Sequence, residues 1–448
     1  ARAQAAPTHP GTLAAVRALR GTLAIVVAGV VGAVVRIAFA IDNANANPAV
    51  DSKLYRAIAH HLVSGDGYVV RDYATHQLTT TASHPPAFPF LLAAFDLVGL
   101  TTKLQQRIPL ALVAAVGVVI TGFVARHLAG DVAGAVAAFI AAVHPLWIQH
   151  AGAGVSESLY LVVVPLLLLV GLRATDRPTW QRMAIVGVAI GVVALTRSEG
   201  VFFIVVMVVP LAIVACRTWK ERIVAIAVAA LAMLAVLTPW LVRNYDEFGG
   251  LTMTTNQGVT LAGGWCDSAT TTFLGGWDLY CVIPARDAVR ASPPPAGKTT
   301  WDELSVDRKL TRSSLAYARE HLSEVPKIVA ARLGRTFGVY RLDQELEFDY
   351  HEGRDKGTQR AGQILYLILL PFAVYGAFRV GRRYLPVLLA GPIVAAISAA
   401  IFYGSTRMRV SAEPAIVVLA AVGIVAFVQL VRRRRARDDA ATAVAPVS

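Results

Sequence analysis

The chain has 448 residues, of which 56% are hydrophobic and only 16% charged. With a mean hydropathy of +0.56, this composition excludes an ordinary soluble domain and implies a polytopic membrane protein. A net charge of +13 does not point to nucleic acid. The arginines fall in short clusters between apolar runs, without interleaved aromatics, as cytoplasmic loops do under the positive-inside rule.

In chain order, segments 21–41, 108–125, 132–148, 155–172, 183–195, 201–216, 223–241, 361–378, 385–403 and 414–431 read as membrane helices of about 17–25 residues. The expected fold class is therefore all-α, a bundle of about ten transmembrane helices. An eleventh apolar stretch, 85–100, is short and proline-rich. Basic clusters at Arg17 and Arg20, Arg126 with His127, 173–182, 217–222, 379–383 and 432–435 share one side only if 85–100 does not cross. That stretch is accordingly read as juxtamembrane or re-entrant; a crossing there would put Arg126 outside.

The first span also resembles a signal peptide ending at Ala38-Phe39-Ala40. Its apolar run is long for that, and Arg36 sits near its end, so a retained helix is favoured. The resulting organisation is a cytoplasmic tail (1–20), a transmembrane module (21–241) with a first outer loop (42–84), a large outer cap (242–360), C-terminal helices (361–431) and a basic cytoplasmic tail (432–448). The N-terminal tail with Pro7 and Pro10, and the tail after Asp438, read as disordered. Cys216 lies at a cytoplasmic span end, whereas Cys266 and Cys281 share the large outer loop. An oxidising compartment there favours a disulfide between them over two buried thiols. In the same loop, 305–333 reads as a helical stretch interrupted by Pro326.

Every polar stretch that is not merely basic faces the outer side, so chemistry is sought there. After Asp51, apolar Leu54, Ile58 and Leu62 recur every fourth residue and Gly65 and Gly67 close the run, which describes an amphipathic helix on the membrane surface. Asp51 is either its N-cap or a reactive carboxylate; one residue can serve as both. Tyr68 follows the Gly65-Asp66-Gly67 turn, and His84 stands before Pro85-Pro86, whose rings restrict it and start the next helix. Its alternative role is a polar residue at headgroup level. Arg197, Arg243 with Asn244, Arg407 and Arg409 sit at outer span ends, against the charge bias, and guanidinium forks suit phosphate oxygens. The alternative is pairing with Glu157, Glu199 and Glu413 at the same level. Glu157 is either a substrate ligand or a charge favourable to its helix dipole. Asn256 and Gly258 suggest a turn close to a ligand. A carboxylate, phosphate-matching cations and an aromatic-rich lid together fit a lipid phosphate carrying a sugar.

The succession of Asp51, Gly65-Asp66-Gly67-Tyr68, His84-Pro85-Pro86, Ser156-Glu157, Leu195-Thr196-Arg197, Pro239-Trp240-Leu241-Val242-Arg243-Asn244 and the 407–414 stretch resembles the GT-C class of membrane glycosyltransferases. It is most similar to the branch of protein O-mannosyltransferases and the lipid A aminoarabinose transferase. The resemblance implies a multi-helix fold in the cytoplasmic membrane that transfers a sugar from a polyprenyl-phosphate donor, on the extracytoplasmic face, with inversion. It assigns the general base to Asp51, a site carboxylate to Glu157 and a donor-phosphate contact to Arg243. Asp51-Ser52 stands where relatives often carry Asp-Glu, and His84 where some have lysine.

Phosphate is already a good leaving group, so one carboxylate suffices without a general acid. Asp51 would deprotonate an acceptor hydroxyl while Arg243, Arg407 or Arg409, and His84 stabilise charge on the phosphate. The implied partners are the lipid-linked donor, a hydroxyl acceptor in the cell envelope and membrane lipids; no metal or other cofactor is required. Two rivals are a lipid-linked-sugar flippase, which would show paired repeats and mid-membrane charges, and a noncatalytic envelope-assembly protein.

Overall fold

Pairing of helices, not sheets, builds this molecule. The computed structural model describes residues 10–45, 50–72 and 76–443. Among these the only strands are Val69–Arg71 and Leu78–Thr80, an antiparallel ribbon with Val69 opposite Thr80. Among the described residues, eight helices are long and apolar enough to cross a membrane, from Leu19–Asp42 through to Glu413–Asp439. One of them, Lys103–Val143, breaks at Gly130 (φ 80°), a conformation that glycine adopts freely. Gly122 and Gly134 face each other across the break, so this segment is a hairpin of two passes. Counted so, and with the 17-residue apolar helix Trp180–Thr196 added, the bundle has the ten passes expected.

Small residues set the approach of these helices, as they do in lipid, where packing replaces the hydrophobic drive between helices. A Cβ on Gly376 would collide with the Leu419 carbonyl, and one on Gly423 with the Phe372 carbonyl. Those contacts join Lys356–Arg379 to Glu413–Ala443. Likewise Gly187 lies against the backbone of Ala229. Arg36 belongs to this packing: buried to 1%, it donates to the carbonyls of Ala141 at 2.9 Å and Ala142 at 2.8 Å. These are orphan carbonyls at a helix C-terminus, which a cation suits. The first helix is thereby an integral part of the bundle.

Several boundaries differ from expectation. Segment 132–148 is not continuous, because Pro145 holds His144 extended (ψ 116°) and a separate buried helix, Pro145–Ala153, follows. The first helix starts at Pro10 and the last runs to Ala443, into both stretches expected to be disordered; residues 1–9 and 444–448 lie outside those described. Ala87–Leu97 has 11 residues and rises about 16 Å, half the hydrocarbon thickness. It lies against the surface helix Val50–Ser64 through Tyr55, Ala59, Phe88 and Leu92, as a juxtamembrane element.

At one end of the bundle Asp176 gathers the basic loops: it accepts from the Tyr384 hydroxyl at 2.7 Å and pairs with His127 at 2.9 Å and Arg383 at 3.2 Å. The other end carries the cap. Its helices Glu303–Glu320 and Val325–Thr336 are separate, since Pro326 fits a helix start and not an interior. Glu303 accepts from the Thr81 hydroxyl at 2.9 Å and the Ala82 amide at 2.8 Å, stitching the cap to the first loop. Arg332 donates to the carbonyls of Gly264 at 2.7 Å and Ala400 at 2.9 Å, tying the cap to the end of Arg382–Ile401.

Cys266 and Cys281 are joined in the cap, and Cys216 is a free buried thiol. Nonreducing peptide mapping is expected to recover the Cys266 and Cys281 peptides linked; alkylation of both without reduction would contradict the bond.

Candidate active site

Five elements converge at the cap end of the bundle. Asp51 stands in the first turn of Val50–Ser64. His84 precedes the two prolines that open Ala87–Leu97. Glu157 begins Glu157–Asp176, Arg197 follows Trp180–Thr196 in extended conformation, and Arg407 lies in the 3₁₀ turn Thr406–Ser411. Asp51, His84, Arg197 and Arg407 line a cavity of about 320 Å³, with Glu157 buried behind the arginines. Thr254, Asn256 and Gln257, from the start of the cap, form another wall, so Asn256 does stand beside the cavity, as the turn motif suggested.

Arg407 is the hub. Its Nε donates to Glu157 Oε1 and its Nη2 to Asp51 Oδ2, so a single guanidinium bridges the two carboxylates. Glu157 is fully buried, and a buried charge persists only when paired. Arg197 Nη1 reaches the same Oε1 at 3.0 Å, and Arg354 Nη2 lies 3.8 Å from it. Arg197 also donates to Glu199 at 2.5 Å. Among the described residues, Arg407 Nη1 and Arg197 Nη2 have no hydrogen-bond partner, which leaves donors for an anion in the cavity.

Burial would raise the Asp51 carboxyl, but Arg407 and His84 outweigh it and hold the group below the ordinary aspartate range. Asp51 is thus a carboxylate at neutral pH. No backbone amide among the described residues donates to it, so its side chain serves Arg407 rather than capping its helix. His84 Nε2 stands 3.8 Å from Asp51 Oδ1. Burial depresses the imidazole below its ordinary value, against the pull of Asp51.

The structure therefore unites Asp51, His84, Glu157, Arg197 and Arg407, and separates the other candidates. Arg409 is completely buried, donating to Glu413 at 2.6 Å and Gln363 at 3.0 Å, with its guanidinium 3.6 Å from the Tyr366 ring centre. It is a pillar between helices and does not face the cavity. Arg243 is spent on the carbonyls of Thr81 at 2.7 Å and Tyr68 at 3.0 Å. Asn244 is buried, donating to the Thr252 carbonyl at 2.8 Å. Tyr68 donates to the His84 carbonyl at 2.9 Å. Tyr68 and Arg243 instead line a neighbouring, more apolar pocket of about 620 Å³ with Phe90, Leu195 and Trp240. The expected pairing of outer arginines is realised in Arg197 with Glu157 and Glu199, in Arg407 with Glu157, and in Arg409 with Glu413.

Sequence reasoning met Tyr55 and Ser156 only as motif neighbours without a role; they link to Glu157 through hydroxyls at 3.2 and 3.4 Å. It missed Arg354, from a loop without periodicity. Tyr403 lines the cavity and is pushed up to about 12 by burial. Among the described residues, no group of three or more His, Cys, Asp or Glu side chains could hold a metal ion.

Comparison with known proteins agrees with this architecture. Residues 83–242 match the family model of dolichyl-phosphate-mannose-protein mannosyltransferases. No curated protein sequence matches the chain. Among solved structures, the oligosaccharyltransferase AglB of Archaeoglobus fulgidus, in complex with an inhibitory peptide and a dolichol-phosphate, is 16% identical, with a TM-score of 0.53 over 95% of this chain and 52% of that one. The oligosaccharyltransferase of the same organism with zinc and sulfate is 14% identical, with a TM-score of 0.55 over 92% and 50%. ArnT of Cupriavidus metallidurans bound to undecaprenyl phosphate is 16% identical over 90% and 77%, with a TM-score of 0.38. The chain spans about half the length of the oligosaccharyltransferase it resembles. It shares its fold with those oligosaccharyltransferase structures, and over residues 83–242 it resembles the mannosyltransferase family. The segment from His84 to Arg197 falls inside the stretch matching the mannosyltransferase model.

Removing Arg409 leaves Glu413 buried without its cation, which costs about 3–5 kcal/mol. Arg409→Ala is expected to lower the unfolding temperature in detergent; an unchanged transition would contradict the pillar role.

Proposed function

We propose that this protein is an inverting glycosyltransferase of the plasma membrane. It moves a sugar from a polyprenyl-phosphate donor to a hydroxyl of an extracytoplasmic acceptor, whether lipid, glycan or protein. The observation that carries this reading is the single cavity in which Asp51 faces two arginines that keep unpaired N–H groups. The match to a dolichyl-phosphate-mannose family supports a lipid monophosphate donor. So does the dolichol-phosphate in the AglB complex. The basic loops gathered at the opposite end support an extracytoplasmic site under the positive-inside rule.

Chemically, Asp51 accepts the acceptor's proton as its oxygen attacks C1, and the C1–O bond to phosphate breaks with the electron pair leaving on the phosphate. One displacement inverts the centre. The remaining N–H groups of Arg407 and Arg197 receive the growing negative charge. Arg407 already supplies the cation between the two carboxylates, so no metal enters the proposal. The neighbouring pocket adjoins the cavity across Pro85-Pro86 and Leu195-Thr196, and its apolar walls suit the lipid carrier.

Asp51→Asn removes the base but keeps the shape. Turnover is expected to fall by about 10²–10⁴-fold while polyprenyl-phosphate binding persists, measured in membranes with a panel of lipid-linked sugars and mass detection of product. Unchanged turnover would refute the assignment.

A further inference from the structure

We infer that His84 takes the acceptor's proton from Asp51 and passes it to water, resetting the base after each transfer. This rests on the glycosyltransfer reading above. The two oxygens of Asp51 have different surroundings: Oδ2 is held by Arg407, whereas Oδ1 is the oxygen toward His84 Nε2, 3.8 Å away. That separation is too long for a direct hydrogen bond. One water, or the tightening usual when substrate arrives, closes it.

The ring is fixed for this position. Pro85-Pro86 restrict its backbone, the Tyr68 hydroxyl holds its carbonyl at 2.9 Å, and the Tyr55 ring lies 4.7 Å from it centre to centre. The His84 side chain remains 13% exposed and lines the cavity, so a proton taken at Nε2 has a way out. The charged groups facing it are Asp51 and Glu157, which favour protonation, and Arg407 and Arg197, which oppose it; burial tips the balance to the neutral ring. A neutral imidazole adds no charge to bind phosphate, but it accepts a proton. This differs from the phosphate-stabilising role that the sequence suggested.

The step balances. The acceptor O–H breaks as O–C1 forms, and the proton goes to Asp51 Oδ1. The Oδ1–H bond then breaks as Nε2–H forms, and the imidazolium releases a proton to water. Arg407, by stabilising the Asp51 carboxylate, makes that carboxyl a willing donor.

The test is turnover against pH for the full-length protein, His84→Gln and His84→Ala, with a polyprenyl-phosphate sugar as donor. The wild-type rate should fall with decreasing pH through a limb below the ordinary histidine value of about 6.5, where the ring is already protonated. His84→Gln should lose that limb and about 10²-fold in kcat with donor KM little changed. Added imidazole should restore His84→Ala. Unchanged kcat in His84→Gln would overturn the shuttle. A raised donor KM with no imidazole rescue would also overturn it, returning His84 to donor binding. If His84→Ala fails to fold, the His84→Gln profile decides. Wild-type transfer that Asp51→Asn abolishes keeps the glycosyltransfer reading whichever way His84 behaves; no wild-type transfer with any donor defeats both.

Discussion

A carboxylate without any exposure at the lip of a membrane bundle must be neutralised, and Glu157 is neutralised chiefly by Arg407 and Arg197. That requirement fixes the rest of the site. Because Arg407 answers Glu157 through its Nε, its Nη2 is available to Asp51. The surface helix Val50–Ser64, the helix Glu157–Asp176 and the turn Thr406–Ser411 thereby meet at one ion. The net worth of such a buried network is small, since desolvation offsets attraction, but breaking any one partner is costly. Its value is geometric: it specifies which oxygen of Asp51 is left for chemistry.

The scaffold repeats the same device to hold its loops. Arg332 ties the cap to the end of Arg382–Ile401, Arg243 ties the first loop to Trp219–Phe248, and Arg36 closes the hairpin beside the first helix. In each case the guanidinium meets backbone carbonyls at a helix end or in a loop. These arginines are spent on structure. Arg407 and Arg197 differ because both line the cavity.

Much of this was legible in the sequence for a physical reason. Hydropathy reports spans directly; arginines at outer span ends stand out against the positive-inside bias, as Arg197 and Arg407 do, whereas Asp51 and Glu157 show as carboxylates at the starts of apolar helices. Arg407 and Arg409 could not be told apart, because two residues in a 3₁₀ turn are separated by two-thirds of a revolution, and only packing decides which enters the cavity. The partners of Arg243 were hidden for a similar reason: carbonyls from a distant loop, those of Tyr68 and Thr81, are invisible along the chain. The Pro145 break carried a local signal that the apolar run around it obscured. Arg354 carried none.

The central claim is that Arg407 positions Asp51 on one side of a lipid-phosphate sugar and offers its remaining N–H to the phosphate on the other. A structure with an unreactive polyprenyl-phosphate sugar analogue measures this directly. The account predicts phosphate oxygens within hydrogen-bond distance of Arg407 and Arg197, the lipid chain in the pocket beside Trp240, and Asp51 on the face of C1 opposite the phosphate. Phosphate bound away from both arginines, or Asp51 on the same face as the leaving group, would contradict it.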